Sequence, residues 1–210
     1  MKVSRQLTKG APDPQRGPRA RTRRLMLETA TRLMQSGATP SISEVAQAAE
    51  VSRATAYRYF PSQAALVHAV VDQALGPILM QSRAGSDAAE RVDDLFRRSM
   101  PRIQEFEATF KAALKLSLDQ WAKRQAGALG DEPPLTRGHR IDLLEDALAP
   151  LRGELAEDEF QRLAQALSLL FGVEALVVLK DIWNQDAAQV EAVTRWAASA
   201  LVRAATAGRA

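Results

Sequence analysis

The stretch SRATAYRYF, residues 52–60, contains both tyrosines of the 210-residue chain and places them on either side of Arg58. It is predicted to form one short helix, in which Ala56 and Phe60 fall together and face other helices. The opposite side is predicted to be exposed, flanked by Tyr57 and Tyr59. It is formed by Ala54, Thr55 and Arg58. The pattern therefore indicates a helix that packs on one side and presents aromatic and basic groups on the other.

Two further helices are predicted before this one. A long helix begins near Arg19 and ends near Gly37, since glycine is typical of the position just after a helix. A short helix starts at Ser41, which forms an S-x-x-E capping box with Glu44. A tight turn at Glu50–Val51 then leads into the opening stretch. Two short helices joined by a tight turn, after a longer helix, match the helix-turn-helix pattern.

The exposed side of the third helix has the chemistry that the major groove of DNA requires. The small side chain of Ala54 lets the backbone approach the groove floor, while Arg53 and Thr55 offer donors and a methyl group to base edges. Tyr57 and Tyr59 are placed to hydrogen-bond phosphates on the two groove walls. On these nine residues alone, an alternative stays open, in which the tyrosines are ordinary packing residues and the arginines are solvated.

The wider segment ISEVAQAAEVSRATAYRYFPSQAAL, residues 42–66, resembles the signature of the TetR family of one-component transcriptional regulators. Together with the residue before it, the segment fills ten places of that signature: Ser41, Val45, Ala46, Ala49, Val51, Ser52, Tyr57, Tyr59, Phe60 and Leu66. The resemblance extends back to about Arg19. It implies an all-α fold, with an N-terminal three-helix helix-turn-helix domain and a C-terminal helical domain for effector binding and dimerisation.

The resemblance also implies roles for individual residues at a DNA interface. Base-edge contacts are implied for Arg53, Ala54 and Tyr57. Phosphate contacts are implied for Ser41, Thr55, Tyr59 and Gln63. Because the helical wheel places Arg58 in the groove and Tyr57 on its flank, the roles of these two residues are interchangeable at this stage.

Three positions depart from the family pattern. The usual turn glycine is Glu50, which must adopt the turn conformation with a side chain and at some energetic cost. The usual lysine at the start of the fourth helix is Gln63, which brings no charge. The usual large apolar residue before the first tyrosine is Ala56, which thins the core beneath this helix.

Charge and composition divide the chain into three predicted parts. Residues 1–18 contain three prolines and several basic residues without periodicity, and are predicted to be a disordered basic arm. Residues 19–76 are predicted to be the DNA-binding domain and residues 77–210 the effector-binding and dimerisation domain. Residues 1–75 hold 11 Lys and Arg against 5 Asp and Glu, whereas residues 76–210 hold 17 against 20. The predicted DNA-binding domain, residues 19–76, is called the head below. Its basic charge, next to a more acidic remainder of the chain, favours a polyanionic partner for the head.

Several classes of protein do not fit the composition. The chain has no cysteine, which excludes disulfides and thiolate metal sites. The longest apolar run, Leu167–Leu179, is too short and too charged to span a bilayer, and the basic N-terminus lacks the apolar stretch of a signal peptide. We therefore expect a cytoplasmic protein without a membrane partner.

An enzyme is not indicated either. There is no glycine-rich phosphate loop and no nucleophile motif, so no catalytic residue and no cofactor are predicted. The two histidines, His68 and His139, are far apart in sequence and are expected to be ordinary surface or packing residues. No metal site is predicted.

The last two predicted helices, roughly Glu157–Trp183 and Ala187–Ala207, carry apolar residues on most sides. Such helices must be covered by others, which suits half of a four-helix bundle completed by a two-fold partner. The predicted dimer contacts are Leu163, Leu167, Leu170, Val178, Trp196 and Leu201. A monomeric bundle core is the alternative.

Pocket residues are predicted from the helix after Pro101, a residue expected to kink or break its own helix. The candidate apolar lining is Phe106, Phe110, Leu114, Leu118 and Trp121, and plain core packing is the alternative for this stripe. Glu174 interrupts an apolar stripe and needs a partner, because an unpaired buried charge is costly. Two alternatives stay open for it: an ion pair inside the protein or across the dimer, and a contact to a cationic effector.

The function expected from these patterns together with the resemblance is that of a ligand-responsive, homodimeric DNA-binding regulator. The resemblance implies a repressor that an unknown small molecule releases from a palindromic operator in double-stranded DNA. The alternative is a non-specific, nucleoid-type DNA-binding protein.

Overall fold

The computed structural model describes residues 17–79, 87–135 and 139–207 of the chain, and the regular structure there is helical. The α-helices are α1 (Pro18–Gln35), α2 (Ile42–Ala48), α3 (Arg53–Tyr59), α4 (Gln63–Leu79), α5 (Ala88–Glu105), α6 (Glu107–Gln125), α7 (His139–Ala147), α8 (Glu157–Leu170), α9 (Val173–Leu176) and α10 (Ala187–Thr206). A 3₁₀ turn covers Ala149–Leu151, and a π-helical turn, Val177–Ile182, follows α9. The predicted all-α fold is confirmed.

Helices α1 to α4, with one side of α6, enclose the first of two hydrophobic cores. Its fully buried members include Met26 and Met34 of α1, Val45 of α2, Ala56 of α3 and Val67 of α4. The spacing of apolar residues and the capping signals predicted these four helices, because each signal acts within a few residues of the chain. The predicted basic arm lies outside the described residues, apart from residues 17 and 18 at the start of α1.

The fourth helix is longer than predicted. It was expected to stop at Gly76–Pro77, but α4 continues to Leu79. Glycine and proline weaken a helix interior by about 1 and 3 kcal/mol. Burial of Leu75 and Ile78 in the second core offsets that cost. Helix α4 therefore contributes to both cores, with Val67 and Val70 in the first and Leu75 in the second.

Pro101 does not break its helix. Helix α5 runs through it to Glu105, and the chain breaks instead at Phe106, before α6. The ring of Pro101 lies on the exposed side, while its neighbours Met100 and Ile103 are buried in the second core. Packing on that side of α5 compensates for the hydrogen bond that proline removes.

The predicted helix Glu157–Trp183 is divided into three parts. Helix α8 ends at Leu170, α9 begins at Val173, and Gly172 between them has a φ of 133°. L-residues rarely adopt this conformation, so glycine is required here. Helix α10 packs against α5 and α8, and Arg195 on α10 makes two hydrogen bonds of 2.8 and 2.9 Å to Asp93 on α5.

No single helix among the described residues is long and apolar enough to cross a membrane. The pair Glu157–Leu170 and Val173–Ile182 reaches that length and apolarity only together, with a bend of 50° between its members.

Candidate DNA-binding surface and effector cavity

Helix α2 is fixed at its start by the predicted capping box. The backbone N–H of Glu44 donates to Ser41 Oγ at 3.2 Å, and the N–H of Ser41 donates to Glu44 Oε2 at 2.7 Å. The hydrogen bond from the Ser41 backbone is the largest of the effects that lower the pKa of Glu44. Ser41 Oγ accepts in this arrangement, so its hydroxyl hydrogen stays available for a phosphate oxygen.

The turn between α2 and α3 is made by a residue in a left-handed conformation. Glu50 has a φ of 54°, and its side chain is exposed. Its N–H donates to the carbonyl of Gln47 at 3.2 Å, and the N–H of Val51 donates to that of Ala46 at 2.9 Å. These bonds close α2 and direct the chain into α3. The predicted turn conformation of Glu50 is therefore confirmed.

Helix α3 is held from one side, and its other side faces solvent. Ala56 and the following Phe60 are buried in the first core, as the helical wheel predicted. Four residues of α3 are exposed: Arg53, Ala54, Tyr57 and Arg58. At the start of the helix, Ser52 Oγ accepts from the Thr55 N–H at 3.2 Å and donates to Thr55 Oγ1 at 2.9 Å.

Thr55 and Tyr59 differ from the other predicted contact residues of α3 because they are half-buried, which corrects the prediction that Thr55 is exposed. The ring of Tyr59 packs at the edge of the first core, and the guanidinium carbon of Arg58 lies 5.7 Å from the ring centre. This stacking fixes one face of the ring. Tyr57 is the more exposed of the two tyrosines, with 48% of its surface accessible.

Gln63 has a structural role in the described conformation. Its amide nitrogen donates to the carbonyl oxygens of Thr39 and Pro40 at 3.1 and 3.0 Å. Both amide hydrogens are therefore engaged, and the side chain has no spare donor for the predicted phosphate contact. These bonds tie the start of α4 to the segment that precedes α2.

The sequence patterns missed a basic residue close to the third helix. The guanidinium of Arg23 on α1 lies over the ring of Phe60, with 5.5 Å between the guanidinium carbon and the ring centre. Arg23 is exposed and belongs to the cationic run RTRR, residues 21–24. That run was the available signal, but nothing local in it shows that α1 passes the end of α3.

A cavity of about 80 Å³ lies between α4, α5, α6 and α7, beside the break that follows α8. One water molecule needs only about 10–15 Å³ by the same measure, so the cavity has room for more than one. Its lining is mostly apolar and includes Leu75, Ile103, Phe110, Leu143 and Phe171. Three polar side chains join this lining: His68, His139 and Arg140.

Only one of the five predicted apolar pocket residues lines this cavity. Phe110 does so, whereas Phe106 and Leu114 pack against the second core. Leu118 and Trp121 are 57% and 58% exposed and do not line the cavity. Helical spacing put these five residues together, but the buried side of α6 also carries small residues such as Ala113, which the spacing argument left out.

Glu174 has a partner inside the protein. Its Oε2 atom accepts a hydrogen bond of 2.6 Å from Arg140, a cavity-lining residue on α7. Arg140 also donates to the carbonyl of Ser168 at 3.1 Å. A Cβ atom at Gly172 would collide with the Arg140 guanidinium, so the glycine makes room for this ion pair. Glu174 itself does not line the cavity. It follows the lining residue Val173 in the chain and pairs with the lining residue Arg140.

The predicted dimer contacts fall into three groups. Leu163 and Leu167 are buried in the second core of the chain itself, which corrects their assignment to a surface between two copies. Leu170 and Leu201 are partly buried against that core. Val178 and Trp196 are exposed, by 46% and 70%. A helical wheel cannot separate these groups, since it does not show which side meets α5.

An ion-pair cluster fixes the π-helical turn against α6. Lys180 donates to Glu107 at 2.5 Å, and Lys111 bridges Glu107 and Asp181 at 2.9 and 2.8 Å. Burial alone would raise the pKa of Glu107, but hydrogen bonds from Lys180 and Lys111, with their positive charges, outweigh it and lower the pKa. Glu107 is thus held as a carboxylate between two lysines.

The head of the chain matches a known family. Residues 26–70 match the family model for bacterial regulatory proteins of the tetR family. These residues span the buried side of α1, the capped α2, the Glu50 turn, α3 and the first half of α4. No curated protein matches the sequence.

Solved structures share the fold over nearly the whole chain. A TetR transcriptional regulator from Rhodococcus sp. RHA1 is 22% identical, with a TM-score of 0.58 over 89% of this chain and 97% of that one. A protein from Mesorhizobium loti MAFF303099, described as a TetR-family transcriptional regulator, is 19% identical, with a TM-score of 0.56 over 91% and 98% of the two chains.

The match in sequence falls on the helices that carry the exposed arginines and tyrosines. The likeness in fold covers the helices that surround the cavity as well. Residues 26–70 therefore form a helix-turn-helix domain of the tetR type, and the chain is a DNA-binding transcriptional regulator.

Proposed function

We propose that this regulator acts as a homodimeric, cytoplasmic repressor, which a small molecule releases from a palindromic operator. The observation that carries the DNA-binding part is the exposed side of α3, where Arg53, Ala54 and Tyr57 face solvent while Ala56 holds the helix to the core. A helix held in this way enters the major groove without unfolding any part of the head.

The contacts divide into base readout and phosphate binding. Arg53 lies at the N-terminus of α3, where a long donor reaches base edges, and the methyl group of Ala54 leaves the backbone close to them. Phosphates are assigned to Ser41, Thr55 and Tyr59. Gln63 is assigned an indirect role: its bonds to Thr39 and Pro40 hold the segment before α2, which orients Ser41.

Dimerisation is assigned to the outer sides of α8, the π-helical turn and α10. These elements expose large apolar side chains: Leu169, Val178, Ile182, Trp183, Val193 and Trp196. Leu169 is 76% exposed and Trp196 is 70% exposed, which is unusual for residues of this size unless another surface covers them. Two copies joined through this face present two α3 helices related by a two-fold axis, so the operator must contain inverted half-sites.

The cavity between α4 and α7 is assigned to the effector. An apolar lining with a few convergent polar groups is the usual form of a small-molecule site. His68, Val71 and Leu75 on one wall belong to α4, the helix that continues into the head. An effector in this cavity therefore acts directly on the element that positions α3.

A band-shift titration tests the DNA-binding part. DNA flanking the gene of this protein is compared with a shuffled sequence at several salt concentrations, because phosphate contacts make affinity fall steeply with salt. We expect binding to the flanking DNA to be at least about 1000-fold tighter, at the lower end of specific recognition. Equal binding to both DNAs would instead favour a nucleoid-type protein.

The variants Arg53→Ala and Arg203→Ala form a matched pair for the same titration. Each removes one exposed arginine, but Arg203 lies near the end of α10, far along the chain from the head. Arg53→Ala should change the preferred base at one position in each half-site, and Arg203→Ala should leave preference and affinity unchanged. Equal effects of the two variants would mean that only net charge matters.

A further inference from the structure

Three potential metal ligands from distant parts of the sequence meet at the edge of the cavity. His68 and Asp72 lie one turn apart on α4, and His139 is the first residue of α7. His68 Nδ1 lies 3.0 Å from Asp72 Oδ2, and His139 Nε2 lies 2.5 Å from Asp72 Oδ1. One nitrogen or oxygen atom from each of the three side chains lies within 4.8 Å of the other two.

We propose that His68, Asp72 and His139 form a binding site for a divalent transition-metal ion, with Zn²⁺ as the best match. Two imidazoles and one carboxylate are a donor set that suits zinc and its neighbours in the first transition series. Around a tetrahedral zinc ion, with ligands about 2.0–2.2 Å from the metal, donor atoms lie about 3.3–3.6 Å apart. The two contacts to Asp72, at 3.0 and 2.5 Å, are shorter than this spacing, and the three donors lie within 4.8 Å of one another, so side-chain rotations that lengthen these contacts admit the ion.

The site has the partial accessibility that metal entry requires. The side chains of His68, Asp72 and His139 are 38%, 40% and 30% exposed. The nearest cationic side chain along the chain, Arg140, directs its guanidinium to Glu174 and to the carbonyl of Ser168. Its charge is therefore compensated, which reduces repulsion of an incoming cation.

Three protein ligands leave a fourth coordination position open. Both histidines also line the cavity, so this position is reached from within it. A water molecule, or an anionic or nitrogen group of an effector, would complete the tetrahedron. The site thus suggests the class of effector: a small apolar molecule with one group that binds a metal.

A bound metal ion would link α4, which packs in the first core, to α7, which packs in the second core. Next to His68 on α4, Val67 is buried in the first core, whereas Leu143 on α7 belongs to the second. An ion held by both helices fixes the distance between them, and it shifts DNA affinity if that distance differs between the free and the DNA-bound states. This second step rests on the proposed function, whereas metal binding itself does not.

Calorimetric titration of the full, untagged, chelator-treated chain with zinc sulfate tests the site. The chain has no cysteine and only two histidines, so no thiolate competes and no other imidazole is present. We expect one zinc ion per chain and, with cobalt in place of zinc, the intense visible absorption of tetrahedral Co²⁺. Absence of saturable binding by the wild type would overturn the proposal.

Substitutions assign the ligands. His68→Gln, Asp72→Asn and His139→Gln should each weaken zinc binding by more than about 100-fold, beyond the 10–100-fold effect of a lost outer-shell partner. Asp119→Asn, which changes an exposed carboxylate on α6, is the matched control and should bind zinc as the wild type does. Wild-type affinity in all three ligand variants would place the metal elsewhere and refute the site.

A measurement on the wild type alone guards against misfolded variants. Diethylpyrocarbonate modifies accessible imidazoles, and mass spectrometry reports His68 and His139 separately. We expect zinc to protect both residues, and equal modification with and without zinc would contradict the proposal.

Band shifts with zinc and with chelator then test the coupling: an affinity change of at least about 5-fold is expected. An unchanged affinity, with zinc bound, would refute the coupling and leave the metal site intact.

Discussion

The left-handed turn residue Glu50 offers a sharp test of how the head is built. Its φ of 54° costs a residue with a Cβ atom about 1–2 kcal/mol, and glycine avoids that cost. Part of the gain is lost because glycine has more freedom in the unfolded chain. We expect Glu50→Gly to raise the free energy of unfolding by about 1 kcal/mol. That corresponds to about 2–4 °C in melting temperature for a chain of this size.

Urea unfolding followed by circular dichroism measures this change, and Glu50→Gln is the matched control. Glutamine keeps the Cβ atom and the positive φ but removes the charge, so its free energy of unfolding should stay within about 0.5 kcal/mol of the wild type. Equal stabilisation by both variants would show that charge, and not backbone strain, is responsible. A Glu50→Gly variant less stable than the wild type would refute the strain account altogether.

Both variants also remove a carboxylate from the turn that leads into α3. Glu50 is exposed, three residues before Arg53. Its charge opposes the approach of phosphates at low salt, so both variants should bind operator DNA more tightly and to a similar degree. The free energy of unfolding is therefore expected to change only in Glu50→Gly, whereas the affinity for DNA is expected to change in both variants.

Three further outcomes are expected. Tyr57→Phe should weaken operator binding by about 10-fold, the loss of one hydrogen bond to a charged group, with an unchanged circular dichroism spectrum; undiminished binding would make Tyr57 a packing residue. Trp196→Asp should shift the sedimentation coefficient from dimer to monomer, and a persistent dimer would move the interface elsewhere. Glu107→Gln should lower the free energy of unfolding by about 1–2 kcal/mol at pH 7. The pKa of Glu107 is lowered in the folded protein, so the difference in free energy of unfolding is fully present above the ordinary pKa of 4.5. It disappears as the pH falls through the pKa of the folded state. A difference in urea unfolding that does not depend on pH would contradict the ion-pair account.

The helices of the head could be predicted because their signals are local. Ser41 caps α2, Ser52 caps α3, and Gly37 ends α1 with a φ of 86°. Each of these features depends on residues no more than four positions away. The same holds for the burial of Ala56 and Phe60, which follows from helical geometry once the helix is placed.

The rest of the fold depends on contacts between distant residues. Gly76 predicted a helix end and Pro101 a kink or break, and packing in the second core carries α4 past the first and α5 through the second. The break at Gly172 was missed because a single glycine within an apolar run does not show that the backbone there takes a φ of 133°. Hydrophobic stripes predicted which helices are buried but not which side meets which neighbour. Leu163 was therefore assigned to a dimer surface when it lies in the core of the chain.

The candidate sites divide in the same way. The exposed residues of α3 follow from one helix, and the accessibility of Ala54 and Arg58 could be predicted, whereas that of Thr55 could not. The His68 and His139 cluster could not, because 70 residues lie between its two histidines and only the packing of α7 on α4 brings them together. The engagement of Gln63 with Thr39 and Pro40 is likewise a contact between elements.

Helix α4 decides how a ligand in the cavity can reach the DNA-binding surface. Val67 and Val70 are buried in the first core, and their neighbours His68 and Val71 line the cavity, so both environments meet on a single helix. A ligand that displaces this wall must either shift the valines within a close-packed core or carry the head along with α4. The first option opens a gap and costs about 24 cal/mol for each cubic ångström of cavity that remains, whereas the second preserves the packing. Ala113 of α6 also lines the cavity and packs in the first core, so a second helix transmits the same displacement. The head should therefore move as one rigid body together with α4 and α6. This movement does not require α5 to bend at Pro101.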